Sequence, residues 1–134
     1  MSETQAVPAL GVNHLVLQVR DIEASHKFYT EGLGFTQIGA LGPQFPMQMR
    51  FYACRPGSHH DVALIQMTDP DSAPPVRPFD LAAQGSINAI NHYAVAYTRE
   101  NFLKQLEYMK ASGVQFVIRG EHGMTHSCYV QDPD

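Results

Sequence analysis

A chain of 134 residues with 44% hydrophobic and 16% charged side chains has the make-up of a globular protein, long enough for one compact domain and too short for two ordinary ones. Its net charge of −4 gives no basic footprint for nucleic acid. No apolar run approaches the ~20 residues of a membrane helix, and the polar start Met1-Ser2-Glu3-Thr4-Gln5 lacks the regions of a signal peptide. Cys54 and Cys128 form no CxxC, so reduced thiols in a cytoplasmic protein are expected. Histidine is the unusual count: seven, at 14, 26, 59, 60, 92, 122 and 126.

After a polar entry, the first predicted strand covers residues 11–20. A period of two places Val12, His14, Val16 and Gln18 on one face and Asn13, Leu15, Leu17 and Val19 on the other. The second face is the more apolar and should lie under a helix, leaving His14 on the opposite, concave side. Asp21 is suited to cap that helix, because its carboxylate can accept from the free amides of the first turn. Ile22, Ser25, Phe28, Tyr29 and Leu33 follow at helical spacing, and Gly32 or Gly34 ends the run. His26 lies within the helix and reads as a solvated surface histidine.

Residues 35–40, 49–54 and 62–67 read as three further strands, the last two separated by Arg55-Pro56-Gly57-Ser58. By the same period of two, His60 shares a strand face with Val62, Leu64 and Gln66, which would aim it into the concave side. Pro70, Pro74, Pro75 and Pro78 then mark an extended linker.

At this point the text repeats. Val12-Asn13-His14-Leu15-Val16-Leu17 returns as Ile90-Asn91-His92-Tyr93-Ala94-Val95, 92 − 14 = 78 positions later. A strand is predicted over residues 90–97, and Thr98 can cap a helix carrying Phe102, Leu106 and Met109 that ends at Gly113. Strands over 114–119 and 126–131 follow. The fold class expected is α+β: two tandem β-α-β-β-β units forming a cupped mixed sheet. Unit one spans about 10–69, the linker about 70–87 and unit two about 88–134 of a single domain, 1–134. The repeat calls for one more strand after Asp132-Pro133-Asp134 that this sequence does not contain. The intact mass of the natural protein tests that expectation.

A duplicated β-α-β-β-β unit with a histidine on the first strand of each copy resembles the vicinal oxygen chelate superfamily of glyoxalases, bleomycin-resistance proteins and extradiol dioxygenases. The run from His14 through Asp21 to Phe35 is similar to the superfamily's first strand and helix, and the resemblance covers nearly the whole chain. His59-His60-Asp61-Val62-Ala63-Leu64 resembles the segment of type I extradiol dioxygenases, such as catechol 2,3-dioxygenase, that ends in a catalytic histidine matching His60. His122-Gly123-Met124-Thr125-His126-Ser127-Cys128-Tyr129 resembles their His-Gly-x-Thr-His stretch, which leads to an active-site tyrosine, with a shorter spacing to Tyr129 than in the two-domain enzymes.

The resemblance implies His14 and His92 as metal ligands, a glutamate beyond Asp134 as the third, and His60, His122 and Tyr129 as catalytic residues. Two histidines and one carboxylate leave three adjacent positions open, the ligand set of non-heme Fe(II) oxygenases. Fe(II) is the metal expected, with Mn(II), Ni(II) or Zn(II) as alternatives. A catechol-type aromatic diol and O2 would be the partners, with ring cleavage as the reaction and a homodimer as the assembly. Histidine titrates near neutrality, so His60 can both accept and return a proton.

Three site residues stay open. His59 can sit at the rim, His126 can face outward, and Tyr129 divides evenly between site and core. Two other functions occur in the superfamily. A glyoxalase-like divalent-metal isomerase or lyase needs a carboxylate base, and the place for it holds Gln66. A metal-free ligand-sequestering resistance protein has no use for paired histidines.

Overall fold

The computed structural model describes residues 6–76, 92–121 and 126–134. Its first half follows the expected order. Strand β1 (Leu15–Val19) leads into helix α1 (Ile22–Lys27), which continues as a π-helical turn over Phe28–Gly32. Strands β2 (Thr36–Ala40), β3 (Met49–Ala53) and β4 (Val62–Gln66) complete the unit. They form one mixed sheet in the order β1-β4-β3-β2, with β1 parallel to β4 and β3 antiparallel to both its neighbours. The parallel pair is possible because α1 and the β2–β3 hairpin carry the chain over between them.

Local chemistry sets the helix. Asp21 is extended (φ −135°) and its carboxylate accepts from the amides of Glu23 and Ala24 at 3.0 and 3.2 Å, which satisfies two donors of the first turn. The amide of Gln66 supports the same turn from β4: its Oε1 accepts from the Ile22 amide at 2.9 Å, and its Nε2 donates to the Arg20 carbonyl at 2.6 Å. Gly34, not Gly32, makes the stop, at φ 77°, where a side chain would be strained and would also meet the Tyr108 ring.

The inward stripe is the one the spacing predicts. Ile22, Ser25 and Tyr29 are buried, and Ile22 and Tyr29 pack with Val19, Phe35, Tyr52, Val62 and Leu64. Each large apolar side chain so buried contributes ~1.5–3 kcal/mol. His26 departs from expectation: it is half-buried, and its Nδ1 lies 2.9 Å from the Tyr52 hydroxyl across the helix–sheet interface. Arg50 reaches from β3 to the Glu23 carboxylate on the same side.

Of the linker, a 3-10 turn covers Pro70–Ser72 and residues 74–76 are irregular, while 77–91 lie outside the described residues. Helix α2 (Arg99–Ala111) starts at Thr98, whose hydroxyl accepts from the Asn101 amide at 3.2 Å, as its position predicts. Leu106 and Met109 are its buried residues, and Phe102 is half-buried. Gln105 donates to the Leu33 carbonyl at 2.8 Å and Tyr108 to that of Glu31 at 2.9 Å, so α2 docks on the end of the first unit's helix. Strands β5 (Phe116–Glu121) and β6 (His126–Val130) pair antiparallel.

The expected strand over 90–97 is where the structure differs. Residues 90 and 91 lie outside the described residues, and 92–98 have no strand conformation. Among the described residues no strand lies beside them, whereas β1 has β4; a strand without a ladder partner leaves its amides and carbonyls to water. Tyr93 packs instead against the first unit's core, and its hydroxyl donates to that of Tyr29 at 3.0 Å. The α+β class stands, but the described part of the second unit is α-β-β, and β5-β6 form a sheet separate from the four-stranded one.

Asp132-Pro133-Asp134 clasps the first unit. Asp132 accepts from the Tyr29 hydroxyl at 3.0 Å, while Asp134 accepts from the Arg20 amide at 3.0 Å and the Ser25 hydroxyl at 3.2 Å. The Arg20 guanidinium lies 3.4 Å from the same Asp134 carboxylate. Burial pushes the Tyr29 hydroxyl far above its ordinary pKa and that of Tyr93 up to about 12, so both hydroxyls keep their protons as donors. Among the described residues no helix is long and apolar enough to cross a membrane.

Candidate metal and substrate site

The sheet has two unlike faces. Leu15, Leu17 and Val19 turn toward α1, while His14, Val16 and Gln18 are exposed on the open side, as the period of two predicts. His14 immediately precedes β1. Its position relative to the 58–61 bend is fixed by backbone: the Leu15 amide donates to the Asp61 carbonyl at 3.0 Å, and the Asp61 amide to the Tyr52 carbonyl at 2.8 Å.

Asp61 organises that bend. Its carboxylate accepts from the Cys54 amide and the Ser58 hydroxyl, both at 2.9 Å. Partial burial works against the charge, but these donors outweigh it and hold the Asp61 carboxyl below its ordinary pKa. Gly57, at φ 79° with open space around it, lets the chain reverse between β3 and β4.

The bend brings His60 to His14 with ring centroids 4.4 Å apart. The route is not the one the alternation suggested. Val62, Leu64 and Gln66 face α1, with Val62 and Leu64 in the core. His60 lies before β4 begins, so the period of two does not carry through it, and the turn aims its ring to the other side. Phe51 meets His60 edge-on at 5.2 Å from the same face. His59 stands beside them: its Nδ1 is 2.6 Å from the Nδ1 of His60, with one proton between the two. Partial burial and the neighbouring His14 and His59 push the pKa of His60 below its ordinary value, so this imidazole stays neutral near pH 7.

The second unit holds a smaller grouping. His92 is exposed, and its ring meets that of Tyr129 edge-on at 5.8 Å. Tyr129 is half-buried on β6, opposite Ile118. His122 lies outside the described residues, and His126 opens β6 with its backbone paired to Glu121. The structure therefore joins His14 with His60, and His92 with Tyr129. Among the described residues no group of three His, Cys, Asp or Glu side chains converges on a point that could hold a metal ion.

For a divalent ion the donor chemistry fits at His14. Its Nδ1 lies 2.7 Å from the Asn13 side-chain oxygen, which leaves Nε2 as the lone-pair donor on an exposed ring. Gln66 is the reverse case, since its amide is engaged with the backbone at the start of α1.

Two residues of the site escaped the sequence reading. Alternation alone groups Asn13 with the helix-facing set, yet it is exposed and bonds His14; the Asn-His pair written twice is the available signal. Phe51 gave none, because only the β3–β4 register sets it across from Ala63 and beside His60. A groove along α2, lined by Tyr97, Asn101, Lys104, Gln105 and Tyr108, contains none of the expected site residues.

Comparison with known proteins agrees with this architecture. A family model described as the Glyoxalase/Bleomycin resistance protein/Dioxygenase superfamily matches residues 11–134. A glyoxylase/bleomycin resistance protein/dioxygenase domain from Frankia sp. EAN1pec is similar in structure, with a TM-score of 0.67 and 23% identity over 95% of this chain and 87% of that one. A mutant form of the fosfomycin resistance protein FosX from Listeria monocytogenes, complexed with Mn(II) and 1S,2S-dihydroxypropylphosphonic acid, is similar at a TM-score of 0.56 and 18% identity, covering 93% of this chain and 86% of that one. At these identities the likeness is one of fold. An iron-dependent extradiol dioxygenase from Rhodococcus jostii (strain RHA1) is 37% identical in an alignment 70 positions long that covers 45% of this chain and 23% of that protein's length.

Proposed function

We propose that this chain, which belongs to the Glyoxalase/Bleomycin resistance protein/Dioxygenase superfamily, is an Fe(II)-dependent extradiol dioxygenase that inserts both atoms of O2 into a catechol-type substrate with ring cleavage. The observation that carries the proposal is the meeting of His60 with His14 on the open face of the sheet, beside Phe51. The similarity to an iron-dependent extradiol dioxygenase supports the choice of reaction.

In this reading His14 and His92 hold the metal, with a carboxylate as third ligand, the glutamate that the resemblance puts beyond Asp134. Bound Fe(II) would supply a common coordination sphere for the catechol oxygens and O2, which otherwise meet poorly. His60 handles the proton. Its Nδ1 is occupied with His59, so Nε2 is the atom that would take a hydroxyl proton from the catechol and later return a proton to a substrate oxygen. Its lowered pKa keeps it in the proton-accepting form. Phe51, Val16 and Ile65, all at least partly accessible, offer an apolar surface for an aromatic ring beside these polar groups. Tyr129 donates a hydrogen bond to a substrate oxygen, and His122 assists from the segment preceding β6.

Gln66, where a glyoxalase-like enzyme would need its base, is turned toward α1. The test is anaerobic reconstitution with Fe(II), then catechols in air. A yellow ring-fission product and matching oxygen uptake, both lost in His14→Ala and His60→Ala, is the expected result. Stoichiometric iron without oxygen uptake on any catechol would overturn it.

A further inference from the structure

The contact between Asn13 and His14 has a chemical consequence beyond the choice of ligand. Nδ1 of His14 lies 2.7 Å from Oδ1 of Asn13. An amide oxygen only accepts, so Nδ1 must carry the proton, and the lone pair of the neutral ring must then reside on Nε2. Asn13 lies two residues before β1, next to His14, so its side chain is held close to the strand start that positions the ring. We infer that Asn13 is a positioning residue: it selects the Nδ1–H tautomer and ring orientation of His14, and so presents Nε2 to a divalent metal on the open face of the sheet.

Two independent features carry this. One is the contact itself, in a ring whose other nitrogen has no protein partner among the hydrogen bonds of the described residues. The other is the text of the chain, which repeats the pair as Asn91-His92 at the equivalent place of the second unit. A merely polar exposed position would not need the same amide beside both histidines. Partners of this kind around metal-bound histidine commonly govern affinity by ~10–100-fold. Asn13 supplies the acceptor from the adjacent residue, so the tautomer is set before any metal arrives.

The inference rests on the reading of His14 as a ligand, but its test separates the two. In the full chain without metal, at a pH where the ring is neutral, 15N NMR of the histidine side chains should show His14 as the Nδ1–H tautomer, with the signal assigned by its loss in His14→Gln. Asn13→Ala should shift His14 toward the Nε2–H form that free imidazole side chains prefer, and Asn13→Asp should restore Nδ1–H. Zn(II) titration should show ~10–100-fold weaker binding for Asn13→Ala and recovery for Asn13→Asp. A wild-type His14 in the Nε2–H form, or a tautomer unmoved by Asn13→Ala, would overturn the inference. Zn(II) affinity unchanged by His14→Ala would instead overturn the ligand assignment, with the tautomer measured separately.

Discussion

The two halves of the chain begin with nearly the same words and end in different states. In the first, the Asn-His phrase runs into a strand that pairs with β4, and the sheet beneath α1 holds most of the buried core. In the second, the phrase leads into residues 92–98 without strand conformation, and the sheet that follows has two strands with Phe116 and Val117 37% and 40% exposed. The residue pattern is shared; the ladder partner is not. Alternation prepares a segment to be a strand, but the hydrogen bonds come from a neighbour. What the second unit lacks in its own sheet it takes from the first, through Tyr93, Gln105, Tyr108 and the clasp of Asp132 and Asp134.

If the chemistry is concentrated where the first unit presents His60, substitution there has the largest effect. His60→Ala should lower catechol turnover by ~10²–10⁴-fold, the usual contribution of a general acid–base group, with iron content unchanged. Tyr129→Phe should cost ~10-fold at most, the worth of one hydrogen bond. Oxygen uptake on iron-loaded protein measures both, and equal losses would erase the contrast between the units.

Stability should divide the same way. Leu64, fully buried between β1 and β3 under α1, should cost toward the upper part of the ~2–5 kcal/mol range for Leu→Ala, and Leu106 on α2 toward the lower part. Urea unfolding of the two variants decides it; a larger loss at Leu106 would make the second unit the better packed. Next in size is the clasp. Asp134→Ala removes the acceptor for the Arg20 amide and the Ser25 hydroxyl, and should cost ~1–3 kcal/mol by the same measurement. No change would mean that the tail adds nothing to the first unit.

The smallest expected effect is a pH dependence. Burial raises the pKa of Asp132; the Tyr29 hydroxyl opposes that shift and the Asp134 carboxylate adds to it. Arg20, paired to Asp134, and Tyr93, bonded to Tyr29, are the other ionisable groups facing this network. A carboxyl whose folded-state pKa is raised binds its proton more tightly when folded. Its contribution to stability is present in acid and lost as pH climbs from the unfolded value of 3.8 through the folded one. Asp132→Asn keeps an acceptor for Tyr29 without the charge, so stability relative to wild type should rise over that window and level off above it. Parallel curves would show that Asp132 does not titrate differently in the folded protein.

The sequence by itself determined the first unit's order of elements, the Asp21 and Thr98 caps, the inward stripe of Ile22, Ser25 and Tyr29, and the exposure of His14. Each depends on local periodicity or on a side chain reaching its own backbone, so nothing distant had to be known. The strong resemblance of residues 14–35 likewise carried the family. Tertiary structure alone decided that His60 reaches His14 through a bend locked by Asp61, that Gln66 serves the start of α1, that Phe51 flanks the histidines, and that the second Asn-His phrase does not open a strand. These depend on strand register, on a turn that interrupts the period of two, and on which segments find a partner. Such contacts join residues tens of positions apart, and no local pattern records them.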